Sequence, residues 1–200
     1  MNQSAKSRFL LLLSLLLGLA LAACARAPAE APPLQGARIG GPFTLVDQNG
    51  RKVSDRDFAG RYRIVYFGYS HCPDVCPTDL QQIGAGLTRF EQKDAARGAR
   101  VQPIFITVDP ERDTPAALKP WVAAFHPRLL GLSGTPEQIR AVAKAFAIFY
   151  EKQPVQPGGG YGVNHTRLAY LMGPDGAPIA LMPQDGGRDA IAKELDRWVK

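Results

Sequence analysis

Residues Tyr66–Leu80, YFGYSHCPDVCPTDL, decide how the chain folds and where its chemistry lies. RIVYFGY (63–69) is an apolar, β-branched and aromatic run of buried-strand length. Beyond the cysteines, Leu80, Ile83, Leu87 and Phe90 recur at helical spacing. A strand therefore delivers Cys72 into a loop, and Cys76 with Pro77 opens a helix, where unpaired amides and the helix dipole favour a thiolate.

FTLVDQNGRKVS (43–54) reads as two short strands around Asn49-Gly50, a pair that supplies the positive backbone angles of a tight hairpin. VQPIFITV (101–108) is a second buried strand running into DPERDTP (109–115), where Asp113 or Thr114 caps a helix with Pro115 in its first turn. Trp121, Val122 and Phe125 give that helix an apolar face, and Pro120 is expected to kink or shorten it. The next helix has Thr135 as cap, Pro136 at its first position and Gln138 completing a capping box, ahead of Ile139, Val142 and Phe146. RLAYLM (167–172) and APIALM (177–182) flank the turn GPDG as an antiparallel hairpin, and Ile191, Leu195 and Trp198 mark a last amphipathic helix. This order predicts an α/β, thioredoxin-like fold: a mixed central sheet flanked by helices, with an N-terminal β-hairpin.

At the amino terminus, Lys6 and Arg8 precede an uncharged, Leu-rich run from Phe9 to Ala23, which reads as a secretory signal over residues 1–23. The run falls short of the roughly 20 apolar residues that a spanning helix needs. Its LAAC end resembles the lipobox of bacterial lipoproteins, whose cysteine, here Cys24, carries lipid and becomes the mature terminus. Residues 24–41 are rich in Pro, Ala and Gly without apolar periodicity and read as a tether. Residues 42–200 then form one domain, large enough for a core without disulfide staples. It is expected to be membrane-anchored on the periplasmic side of a bacterial cell envelope. The formal charge of +6 includes Lys6 and Arg8. The other Lys and Arg residues are scattered, with no run interleaved with aromatics, which argues against nucleic-acid binding. They suit a solvated surface with weak attraction to anionic lipid.

Of three cysteines, Cys24 is assigned to the anchor. Cys72 and Cys76 are left in an oxidising compartment, yet a bridge between them closes too small a loop to add much stability, so chemistry explains them better. Dedicated oxidoreductases of this fold resemble CxxC. CPDVC is one residue longer, which still permits a disulfide and also lets both sulfurs face one ion if another ligand arrives. The candidate is His165, between the glycine-rich QPVQPGGGYGVN (153–164) and a strand beginning near Arg167. That glycine-rich stretch is expected to be a mobile loop, with His165 as its latch. Two thiolates and one imidazole make a soft, low-coordinate set suited to Cu(I), with a fourth ligand for Cu(II), whereas zinc usually takes four. His71 adjoins Cys72 with a diverging side chain, and His126, before Pro127, reads as a structural helix-end residue. A thiol-disulfide reductase using the same cysteines is the rival reading, and a peroxidase using one thiolate is a third.

YFGYSHCPDVCP (66–77), FITVDPERDTP (105–115), AFHP (124–127) and NHTRLAYLMGPDG (164–176) stand in an order that resembles the Sco/SenC family of copper chaperones for cytochrome c oxidase assembly. The likeness runs from Pro42 to Lys200. It implies a thioredoxin-like fold, one copper ion held by Cys72, Cys76 and His165, and delivery to cytochrome c oxidase subunit II or its assembly factors. It also brings Asp109–Pro115 beside the cysteines in a turn-and-cap role. Asn164 stands where members of the family commonly carry Asp, which removes a charge that could orient the ligand. The lipobox is less typical of the family than a transmembrane anchor.

The LAAC end of the apolar run makes Cys24 the processing site. Mass spectrometry of membrane-extracted protein is expected to find a lipid on Cys24 and no Met1, and Cys24→Ala is expected to block processing. An intact Met1 without lipid on Cys24 would favour an uncleaved helix.

Overall fold

A computed structural model of the chain describes residues 30–155 and 157–200, and the signal segment and Cys24 lie outside them. Strand β3 (Tyr62–Gly68) and strand β4 (Val101–Thr107) pair in parallel at the centre of a seven-stranded sheet. All seven residues of β3 are buried, which explains why it is continuously apolar rather than alternating. Strand β5 (Leu130–Ser133) extends the parallel set beyond β4. The β1 (Thr44–Asp47) and β2 (Lys52–Ser54) hairpin then adds antiparallel through Val46 opposite Ser133. Its turn holds Gly50 at φ 78°, and the buried Asp47 carboxylate accepts the amides of Asn49 and Arg51. On the other side of β3 lies the antiparallel pair β8 (Ala169–Met172) and β9 (Pro178–Leu181). The sheet is therefore mixed, in the order β2-β1-β5-β4-β3-β8-β9.

Among the described residues five α-helices accompany the sheet: α1 (Val75–Lys93), α2 (Ala95–Ala99), α3 (Pro115–Ala123), α4 (Pro136–Ala145) and α5 (Gly187–Trp198). Helix α1 buries Leu80, Ile83, Leu87 and Phe90, the expected stripe, and α5 buries Ile191, Leu195 and Trp198. The two helices touch so closely that a Cβ on Gly86 would lie 2.5 Å from Ile191 Cγ2. Thr135 and Gln138 form the expected capping box on α4. On α3 the cap is Thr114, which accepts from the Ala117 amide at 3.3 Å, because Asp113 is engaged elsewhere. That helix contains Pro120 and ends three residues later.

Two stretches differ from the sequence reading. The packed chain begins near Pro32, ten residues before the expected start. The Leu34 amide donates to the Ile179 carbonyl at 3.0 Å, the Gly40 amide to that of Ala145 at 2.8 Å, and Leu34 and Ile39 rest on the core. Two single apolar anchors among prolines and glycines give no periodicity to read. The glycine-rich stretch, expected to be a loop throughout, is instead bounded by a ribbon of β6 (Tyr150–Lys152) and β7 (Val163–His165), paired with Tyr150 opposite His165.

Gly84 lies in α1, where alanine would by helix propensity alone be favoured by about 1 kcal/mol. A Cβ there, however, would stand 2.3 Å from the Phe125 carbonyl oxygen, a backbone atom. The collision should win. Gly84→Ala is expected to destabilise the domain by about 1–3 kcal/mol, read as a lower urea midpoint at unchanged slope.

Candidate metal centre

The chain leaves β3 at Gly68, turns through Tyr69–Asp74 and enters α1 at Val75. Cys72 is half-buried in the turn, with its amide donating to the Tyr69 carbonyl at 3.2 Å. Cys76, the second residue of the helix, is fully buried over Gly68, where a Cβ would lie 2.9 Å from its sulfur. Glycine at 68 is thus what makes room for the thiol. The two cysteines are free and their thiols interact with each other.

The thiols are unequal, in the opposite sense to the sequence expectation that the helix start would favour Cys76 as thiolate. Burial acts to raise the Cys72 pKa, but hydrogen bonding from the amides of Asp74, Cys76 and Val75 outweighs it and holds the thiol below its ordinary value. Burial dominates at Cys76 and, with the neighbouring Cys72, pushes it up to about 12. The helix-start amides serve the residue just outside the helix, while the residue inside it is driven into the core.

His165 arrives from β7, with Nε2 at 3.4 Å from Cys76 Sγ. Its Nδ1 lies 3.1 Å from the Thr166 carbonyl, which can only accept, so Nδ1 carries the proton and Nε2 presents a lone pair toward the sulfur. Burial lowers the pKa of the imidazole, so it stays neutral near pH 7. Tyr69 packs edge-on to the ring at 5.9 Å. Asn164 is exposed while Val163 and His165 on either side turn inward, so the position where Asp is commonly found faces solvent. Among the described residues no three His, Cys, Asp or Glu side chains are gathered into a formed metal cage. Cys76 and His165 are brought together, and Cys72 stands at the mouth.

The Asp109–Pro115 turn does more than cap a helix. Asp113 is fully buried and accepts from the Ser70 amide at 2.9 Å, from the Ser70 hydroxyl and from Thr107 Oγ1 at 2.6 Å, which pins the cysteine turn to the end of β4. Asp109 accepts from the Tyr161 hydroxyl at 2.9 Å. The Arg112 guanidinium lies 3.6 Å from the Tyr161 ring centroid and donates to the Tyr161 carbonyl at 3.0 Å. Together they grip the glycine-rich segment ahead of His165. His71 is exposed, with Nδ1 3.1 Å from Ser70 Oγ and 3.7 Å from Asp113, turned from the cysteine pair. His126 is buried elsewhere, with Nδ1 accepting the Arg128 amide and Nε2 facing Glu91, so its role is structural.

A mixed sheet flanked by helices, with a half-buried low-pKa thiol and a fully buried partner at the carboxyl end of a central strand, defines a thioredoxin-like dithiol protein. Residues 31–200 match the family described as SCO1/SenC, and the chain belongs to that family. It is 41% identical over 166 residues to Protein SCO1, mitochondrial, of Saccharomyces cerevisiae, covering 80% of this chain and 55% of that protein. The chain thus spans about half the length of such curated relatives. Among solved structures, Bradyrhizobium japonicum ScoI with copper bound matches at a TM-score of 0.72 and 43% identity, over 80% of this chain and 99% of that one. BsSco, described as a member of the Sco family of cytochrome c oxidase assembly proteins with a disulfide switch, matches at a TM-score of 0.58 and 26% identity, over 84% and 95%.

Unequal thiols predict unequal labelling. In native reduced protein at neutral pH, iodoacetamide is expected to alkylate Cys72 and spare Cys76. The Cys72 rate should be half-maximal below the free-cysteine pKa of about 8.5, because its thiolate forms first as pH rises. Peptide mapping that found equal labelling would overturn the assignment.

Proposed function

We propose that the protein is a copper metallochaperone that holds one copper ion through Cys72, Cys76 and His165 and passes it by ligand exchange to the copper site of cytochrome c oxidase subunit II. The observation that carries this reading is the approach of His165 Nε2 to Cys76 Sγ at 3.4 Å, with Nδ1 committed to a backbone carbonyl. That is the lone-pair arrangement of a metal-ligating histidine oriented by its second nitrogen. Two sulfurs and a nitrogen favour Cu(I), and the related ScoI is a copper-bound structure. The neutral Cys76 thiol suits cargo rather than a resident ion, since the metal must displace a proton to enter and a returning proton helps it leave. The setting we propose is outside the cytoplasm, with a lipid anchor at Cys24 and the tether holding the domain at the membrane.

The unequal thiols also favour a second reading, a thiol-disulfide reductase that prepares the acceptor's cysteines. Half-exposed, low-pKa Cys72 would attack a partner disulfide and buried Cys76 would resolve the mixed disulfide, closing Cys72 to Cys76 while the partner leaves as two thiols.

Copper titration separates the two. Reduced protein should bind one Cu(I), and protein with the Cys72 to Cys76 disulfide little. Cys72→Ala and Cys76→Ala should nearly abolish binding, and His165→Ala should weaken it by at least about tenfold. Affinity should rise with pH between 6 and 8 by about one decade per unit for the Cys76 proton, because its pKa near 12 keeps it protonated across that window. Undiminished affinity in His165→Ala would return the balance to the reductase.

A further inference from the structure

The ribbon that carries His165 is not strand-paired with the seven-stranded sheet, from whose strand β3 the cysteine turn and α1 follow. Something else must set the distance between Nε2 and the Cys76 sulfur. Asp79 lies one turn beyond Cys76 on α1 and is 1% exposed. Its carboxylate accepts from the Tyr66 hydroxyl at 3.0 Å and from both Nε, at 2.7 Å, and Nη2 of Arg167. Arg167 is two residues beyond His165, and its Nη1 also meets Asp185 at 2.8 Å. Tyr66 interacts with Cys76 as well as Asp79. One buried ion pair therefore ties the helix bearing Cys76 to the segment bearing His165. A carboxylate so deeply buried requires its cation, and the planar guanidinium fork fixes orientation as well as distance.

We propose that Asp79 and Arg167 form a positioning clasp that holds His165 against Cys76. Its consequence for copper rests on the chaperone reading above, but its geometric claim does not. The first test is the ¹⁵N-imidazole spectrum of reduced, metal-free protein. Arg167→Met and Asp79→Asn should shift and broaden the His165 ring signals, and Arg167→Lys should do so less. The ring of His126, which sits apart beside Glu91, should be unmoved in all three. Should the first two variants fail to fold, Arg167→Lys carries the comparison. Wild-type His165 signals in a folded variant would overturn the clasp.

The second test is Cu(I) affinity in two backgrounds. Arg167→Met should bind about tenfold more weakly than wild type. Placed on His165→Ala, the same change should cost less than about twofold, because the group it positions is gone. An equal loss in both backgrounds would show that Arg167 does not act through His165 and would overturn the clasp. Wild-type affinity in His165→Ala would instead sink the copper-ligand reading and leave the clasp to be decided by the ring signals.

Discussion

Burial of one sulfur governs the centre. Cys76 has no solvent exposure, and the core around it favours the neutral thiol so strongly that its pKa reaches about 12. Relative to an ordinary thiol this is a preference on the order of 4 kcal/mol for the protonated form. Such a sulfur becomes a thiolate only when a positive or electrophilic partner compensates it, a soft cation or the sulfur of a mixed disulfide. Either chemistry is therefore silent until its partner arrives. Cys72, half-exposed and supplied with amides, is the group that a partner meets first.

Around that sulfur the fold is fastened by carboxylates as well as by apolar contact. Asp113 holds the cysteine turn, Asp109 with Arg112 holds Tyr161, and Asp79 with Arg167 reaches the segment after His165. The stretch around Tyr161 is rich in Pro and Gly and offers few side chains for a core. Buried ion pairs add little net stability, but they tolerate few alternative arrangements. A site assembled from a turn, a helix start and a separate two-stranded ribbon needs directional contacts more than additional burial.

Much of this was legible in the sequence, for identifiable reasons. The strands and helices carrying periodic apolar residues were readable because burial imposes the period, as in β3, α1 and the capping box of α4. The cysteines were readable because their spacing has few structural uses. The sense of the thiol asymmetry was not, since a helix start lowers a pKa only for a sulfur that reaches the amides, and Cys76 instead turns into the core. Asp79 could have been suspected: it sits three residues beyond Cys76, next to Leu80 on a face otherwise apolar, where an acidic residue needs a partner. Nothing local pointed to Arg167 as that partner, because ion pairs leave no periodic trace. Leu34 and Ile39 were lost for a similar reason, being single anchors without a repeat.

The place where the described chain enters the domain also bears on access to the thiols. Pro32 and Gln35 lie beside Tyr62, where β3 begins, whereas Cys72 follows the end of that strand. Seven residues of strand, at about 3.3 Å each, therefore stand between Pro32 and the cysteine turn, a separation of roughly 20 Å. The thiols thus stand at the opposite end of β3 from the point where the described chain enters the domain.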